Sequence, residues 1–157
     1  MKTSFIKLGL VALAFNSVNA FAQSLPYGAP INLETAKKAV QAASAEMHKK
    51  NLALTIVVVD SGSNLVYLER ADQAPIGTVD AAIGKAKAAN GIKAPTKAIE
   101  EQVLAGKLNL LGVPGAFPVE GAVLLIENNK IIGAIGASGA MPTDDGAVAQ
   151  AGARAVK

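Results

Sequence analysis

The chain contains no cysteine, no tryptophan and one histidine among 157 residues, and aromatic residues make up only 4% of it. Without cysteine there is no disulfide framework, no thiolate metal ligand and no cysteine nucleophile, so the fold must hold by core packing or by assembly. The single histidine, His48, cannot form the two- or three-histidine set of a typical zinc centre. It leaves two readings, an axial haem ligand or a surface histidine facing the C-terminal dipole of a helix. No Gly-Lys-Ser/Thr motif and no Gly-x-Ser-x-Gly elbow occur, which speaks against a P-loop nucleotide site and a serine hydrolase.

What the chain has in abundance is small and apolar: 51% hydrophobic residues, with 15 glycines. The length suits one small domain. Residues 1–22 carry Lys2 and Lys7, a short apolar stretch from Leu8 to Phe15, and the small-residue pattern Ala20-Phe21-Ala22. That pattern reads as a secretory signal cleaved near Ala22, leaving residues 23–157 as the mature domain in the periplasm or outside the cell. The absence of a lipobox cysteine favours a free periplasmic protein over a lipoprotein. Removing the two lysines lowers the formal charge from +3 to +1, so the basic balance of the full chain gives no support for nucleic-acid binding.

The segment from Gly121 to Lys157 organises the rest. Ala122 to Ile126 and Lys130 to Ala137 are β-prone runs about Asn128-Asn129, a pair that tolerates the positive φ of a tight hairpin turn. Thr143-Asp144-Asp145 then marks the start of a closing alanine-rich helix. Upstream, Asn32 caps a helix with the apolar stripe Leu33, Ala36, Val40, Ala43 and Met47. Leu54 to Val59 is an apolar run without alternation, which predicts a strand covered on both faces, in part by another subunit. Asp60 to Asn64 is a turn, and Leu65 to Arg70 returns as the second strand of a hairpin. A helix from Thr78 places Val79, Ala82, Ile83, Ala86 and Ala89 on one side, with Lys85 elsewhere as a solvated lysine. Another runs from Pro95-Thr96 to before Gly112, and a further strand near Val119 completes the reading. Hairpins interrupted by helices imply an α+β fold, an antiparallel sheet with helices packed on it.

Few residues carry chemistry. Arg70 with Asp72 at a strand end can bind an acid bidentately or form an ion pair that orients the loop. Lys85 adds a second cation. Glu120, beside Gly121, is either a base in a cleft or an exposed turn carboxylate. The glycines from Gly133 to Gly139, with Ser138, read as tight packing and a sharp turn; Asp144 and Asp145 already occupy the helix dipole that an anion would need.

Several stretches together resemble one family, the GlcG/HbpS-like proteins, which include the C-terminal domain of PduO-type proteins. The matching pieces are Val58-Val59-Asp60-Ser-Gly62-x-Asn64-Leu65-Val66, Arg70-x-Asp72-x-Ala74, Ala82-x-x-Lys85-Ala86, Pro118 with Gly121, Ile132 to Gly139, and Asp145 with Ala151-Gly152. The resemblance implies a five-stranded antiparallel sheet flanked by helices, a homo-oligomer, and haem binding in several members. It draws Arg70, Asp72, Lys85, Ser138 and Asp145 into one ligand pocket and makes His48, Tyr67 and Met141 candidate haem ligands. This chain departs from the family pattern in carrying Ala71 in place of Met, Glu120-Gly121 in place of a Gly-Gly pair, and Asp145-Gly146 in place of Asp-Glu. Three functions follow. The first is a periplasmic protein binding haem or a related hydrophobic acid between subunits. The second is an enzyme on a small carboxylated metabolite with Glu120 or Asp72 as acid/base, and the third a non-catalytic accessory protein.

Overall fold

The computed structural model describes residues 25–156, so residues 1–22, read above as a secretory signal, lie outside the described residues. The elements are α1 (Leu33–Lys49), β1 (Thr55–Asp60), β2 (Leu65–Arg70), α2 (Thr78–Ile92), α3 (Thr96–Leu104), a 3-10 turn (Leu108–Gly112), β3 (Ala122–Glu127), β4 (Lys130–Ser138) and α4 (Pro142–Arg154). The sheet is antiparallel with order β2-β1-β4-β3.

Four strands stand among the described residues where five were expected. The chain around Val119 is irregular, because Pro114 and Pro118 lack the amide protons a ladder needs. Only a single parallel bridge, from Tyr27 to Ile131, extends the sheet beyond the four.

The non-alternating run in β1 is explained by two cores. Ile56 and Val58 pack with Val40, Met47, Ile135 and Val148 on the face covered by α1 and α4, while Val57 and Val59 pack with Ala82, Ala86 and Ala89 of α2. All four β1 residues are wholly buried, each contributing about 1.5–3 kcal/mol relative to exposure. The chain's own helices therefore cover both faces; no other subunit is needed for that.

Local signals set the connections. Asn32 accepts from the Thr35 amide at 2.8 Å and starts α1. The stripe on α1 is shifted from expectation, since Leu33 is 49% exposed and Ala39 is buried in its place. Asp60 Oδ1 accepts from the amides of Gly62 and Asn64 at 2.8 and 2.9 Å and locks the β1–β2 turn. Asn128 and Asn129 have φ of 50° and 58°, as a two-residue hairpin turn requires. The long helix expected after Pro95 breaks at Gly106, whose φ is 93°, into α3 and the 3-10 turn. The closing helix begins one residue before Thr143, with Pro142 in its first turn and no side-chain cap.

Close approach of α2 to the sheet depends on small residues on both sides. A Cβ on Gly136 would lie 2.6 Å from the Ala82 carbonyl oxygen and 2.9 Å from the Ala86 nitrogen. The glycine-rich run is thus mostly strand packing, which sets α2 low enough on the sheet for Lys85 to reach its end.

Candidate functional site

The sheet brings the predicted residues to one end, where β1 and β3 begin and β2 and β4 finish. Arg70 pairs with Thr55, and Thr55 with Ser138, so these three form a row across β2, β1 and β4. Ser138 is buried within that row, and Thr55 is engaged by Thr78 through a hydroxyl contact of 2.7 Å. The remaining residues divide into two groups on either side of the row. With four strands spaced about 4.8 Å apart, Arg70 on β2 and Gly121 before β3 are separated by roughly 14 Å. The expected single hollow is therefore two places.

The first is a cleft of about 450 Å³ at the end of β2, between the last turn of α1 and the loop after β2. His48, Arg70 and Asp72 line it together, over a floor of Met47, Leu52 and Ala53. His48, Arg70 and Asp72 are all exposed. Arg70 and Asp72 form no salt bridge among the described residues, so the loop-orienting ion pair is absent and the guanidinium is free to meet an acid. Met47 is not free: its sulfur accepts from the Leu54 amide at 3.3 Å, which makes it wall. Glu69 lines the cleft as well, its Oε1 accepting from Ser44 Oγ of α1 at 2.7 Å. Of the other candidate ligands, Tyr67 packs against the α1 side of the core and Met141 stands 68% exposed at the start of α4.

The second place is built on a buried ion pair. Lys85 Nζ donates to Asp145 Oδ2 at 2.8 Å and to the Ala137 carbonyl at 3.3 Å, and the two side chains are 3% and 2% exposed. Lys85 is thus neither solvated nor in the cleft with Arg70. Asp145 Oδ1 also accepts from the Ala140 amide at 3.0 Å, tying the end of β4 to the start of α4. Burial raises the Asp145 carboxyl above the usual carboxylate range, while Lys85 and the amides of Ala140 and Gly139 draw it down. Gly121 is needed here. Its φ is 147°, and a Cβ would lie 2.6 Å from Lys85 Nζ and 2.7 Å from the Ala137 oxygen.

Beside this pair, across Gly121, opens a cleft of about 410 Å³ between α3, the start of β3 and α4. Glu120 lines it and is held by Lys97 at 3.2 Å; their side chains are 16% and 52% exposed. Two departures from the family pattern meet at this point, because a Cβ on Gly146 would sit 2.5 Å from Glu120 Oε1. The Glu120 side chain thus occupies the space against Gly146 into which a side chain at that helix position would project. Lys97 was not singled out from sequence, and a lone lysine in a helix's first turn gives no signal of a partner 23 residues on.

A family model described as "Haem degrading protein HbpS-like" matches residues 31–154. The chain belongs to the HbpS-like family. Protein GlcG of Escherichia coli strain K12 is 33% identical over 109 residues, covering 69% of this chain and 81% of GlcG. The crystal structure of HbpS superposes with a TM-score of 0.77 at 28% identity, covering 85% of this chain and 94% of HbpS. A structure of PduOC in complex with haem, at 20% identity, 82% coverage of this chain and 96% of PduOC, agrees in fold with a TM-score of 0.74. The matched segment of the family model spans both clefts and every element from α1 to α4.

Proposed function

We propose that this protein is exported to the periplasm and binds haem, as a homo-oligomer, in the cleft at the end of β2. The observation that carries the reading is the meeting of His48 and Arg70 on one apolar floor, in a chain of a haem-related family. An imidazole is a common axial ligand of haem iron, and an unpaired guanidinium takes a carboxylate through two parallel hydrogen bonds. The residues fit the group: Leu52 and Ala53 offer apolar surface, His48 a nitrogen and Arg70 a propionate partner. Glu69 and Asp72 set two carboxylates on the same lining as the Arg70 guanidinium. Bound haem would supply redox and oxygen chemistry at its iron; the chain's part is to seat and orient it.

The cleft is open to solvent on one side, so it would wall such a group on one face only. A second copy of the chain placed over the opening supplies the missing wall, which supports an oligomer with the ligand between subunits. The basic n-region and small-residue cleavage pattern of residues 1–22 support export. Mass spectrometry of the exported protein should find a mature chain beginning near Gln23.

An absorbance titration with hemin tests the binding reading. A Soret shift that saturates, weakened roughly tenfold or more in Arg70→Ala and changed in band position in His48→Ala, is the expected result. Absence of saturable binding removes it.

A further inference from the structure

We infer that the cleft between α3 and α4 is a second binding site, selective for a zwitterionic α-amino acid with a small aliphatic side chain. It shares no lining residue with the haem cleft. Among the described residues its only charged side chains are Lys97 and Glu120, one of each sign, facing each other at 3.2 and 3.4 Å. Lys97 is half exposed on the first turn of α3 and can swing outward, whereas Glu120 is 16% exposed and held against Gly146.

A molecule entering between them must leave both charges paired, since an uncompensated carboxylate at so sheltered a position is costly. A simple acid satisfies Lys97 and strands Glu120; a simple amine does the reverse. An amino acid satisfies both, with its carboxylate on the Lys97 ammonium and its ammonium on the Glu120 carboxylate, and adds no net charge. Pro95, Ala122, Val123 and Ala147 form the apolar remainder of the wall, which suits a short branched aliphatic side chain. The volume, about 410 Å³, lies within the range of small-molecule sites. Gly121 at the back is held by the Ala137 amide, which donates to its carbonyl at 2.8 Å, while the cationic rim at Lys97 is half exposed.

The test uses the mature protein with L-valine and its two single-deletion analogues, isovalerate without the ammonium and isobutylamine without the carboxylate. Valine should bind saturably by calorimetry and raise the thermal midpoint, and neither analogue should match it at the same concentration. Lys97→Met and Glu120→Gln should each weaken valine roughly tenfold or more while leaving the hemin titration unchanged. Both positions are partly exposed, and circular dichroism verifies their folding. No valine binding, equal binding of either analogue, or full valine binding by both variants overturns the proposal. None of these outcomes bears on the haem cleft.

Discussion

Replacing Lys85 with methionine removes the cation from the buried pair and leaves Asp145 with only backbone amides as partners. Methionine keeps most of the stem, so the loss is electrostatic and not a cavity. Breaking a buried pair by deleting one member costs about 3–5 kcal/mol, because the remaining charge keeps its desolvation penalty. A domain of about 130 residues has an unfolding entropy near 0.27 kcal/mol/K, so the thermal midpoint should fall by roughly 10–20 °C. The effect carries a pH signature. In the variant, Asp145 is as buried as before and has lost Lys85, so its folded carboxyl stands still further above the ordinary 3.8. Such a group binds its proton more readily folded than unfolded. The stability it contributes is therefore fully present below the unfolded value and lost as pH rises through the folded one. The deficit of the variant against the parent should thus be small at pH 4 and approach its full size at pH 8. Adding Asp145→Asn, which keeps the acceptor for the Ala140 amide, should recover most of the midpoint at neutral pH. The measurement is thermal unfolding by circular dichroism across that pH range. A loss under about 1 kcal/mol at pH 8, or a deficit that does not depend on pH, refutes the reasoning.

Three further outcomes follow from the same end of the sheet. Gly121→Ala should cost about 2–4 kcal/mol in urea unfolding, since a Cβ there meets Lys85 Nζ and the Ala137 oxygen and the φ of 147° is strained for alanine. Thr78→Val should cost about 1–2 kcal/mol, because it removes the buried partner of Thr55 at 2.7 Å. Gly146→Glu alone should destabilise by forcing two carboxylates into one volume. Combined with Glu120→Gly it should be relieved, giving a coupling of about 0.5–3 kcal/mol in a double-mutant cycle, and additive effects would contradict the spatial exchange of these positions.

Much of the architecture is legible in the chain because it rests on local rules. The unbroken run Ile56 to Val59 announces a strand covered on both faces, Asn128-Asn129 a tight hairpin, and Asn32 a helix start; each is decided within a few residues. The strand count is not, because the stretch before Glu120 has apolar residues of the right kind and only its prolines keep it from pairing. Lys85 shows the larger gap. Its place on an alanine-rich helix gives no hint of burial, and its partner Asp145 lies 60 positions away at a helix start that explains an aspartate by itself. What brings them together is the small-residue seam at Gly136 and Gly121, a tertiary fact. The candidate site divides in the same manner: His48, Arg70 and Asp72 converge from two elements, while Glu120 and Lys97 form a cleft that motif spacing does not reveal.

The central claim, that haem sits in the cleft at the end of β2, is tested most directly by line broadening in amide NMR spectra on addition of ferric hemin. Paramagnetic iron should erase the signals of Ala53, Ala71 and Gln73, near the β2 edge, and spare those of Val123, Ala147 and Gln150, toward the opposite, β3 edge of the sheet. Loss of the second set with the first intact would contradict the account.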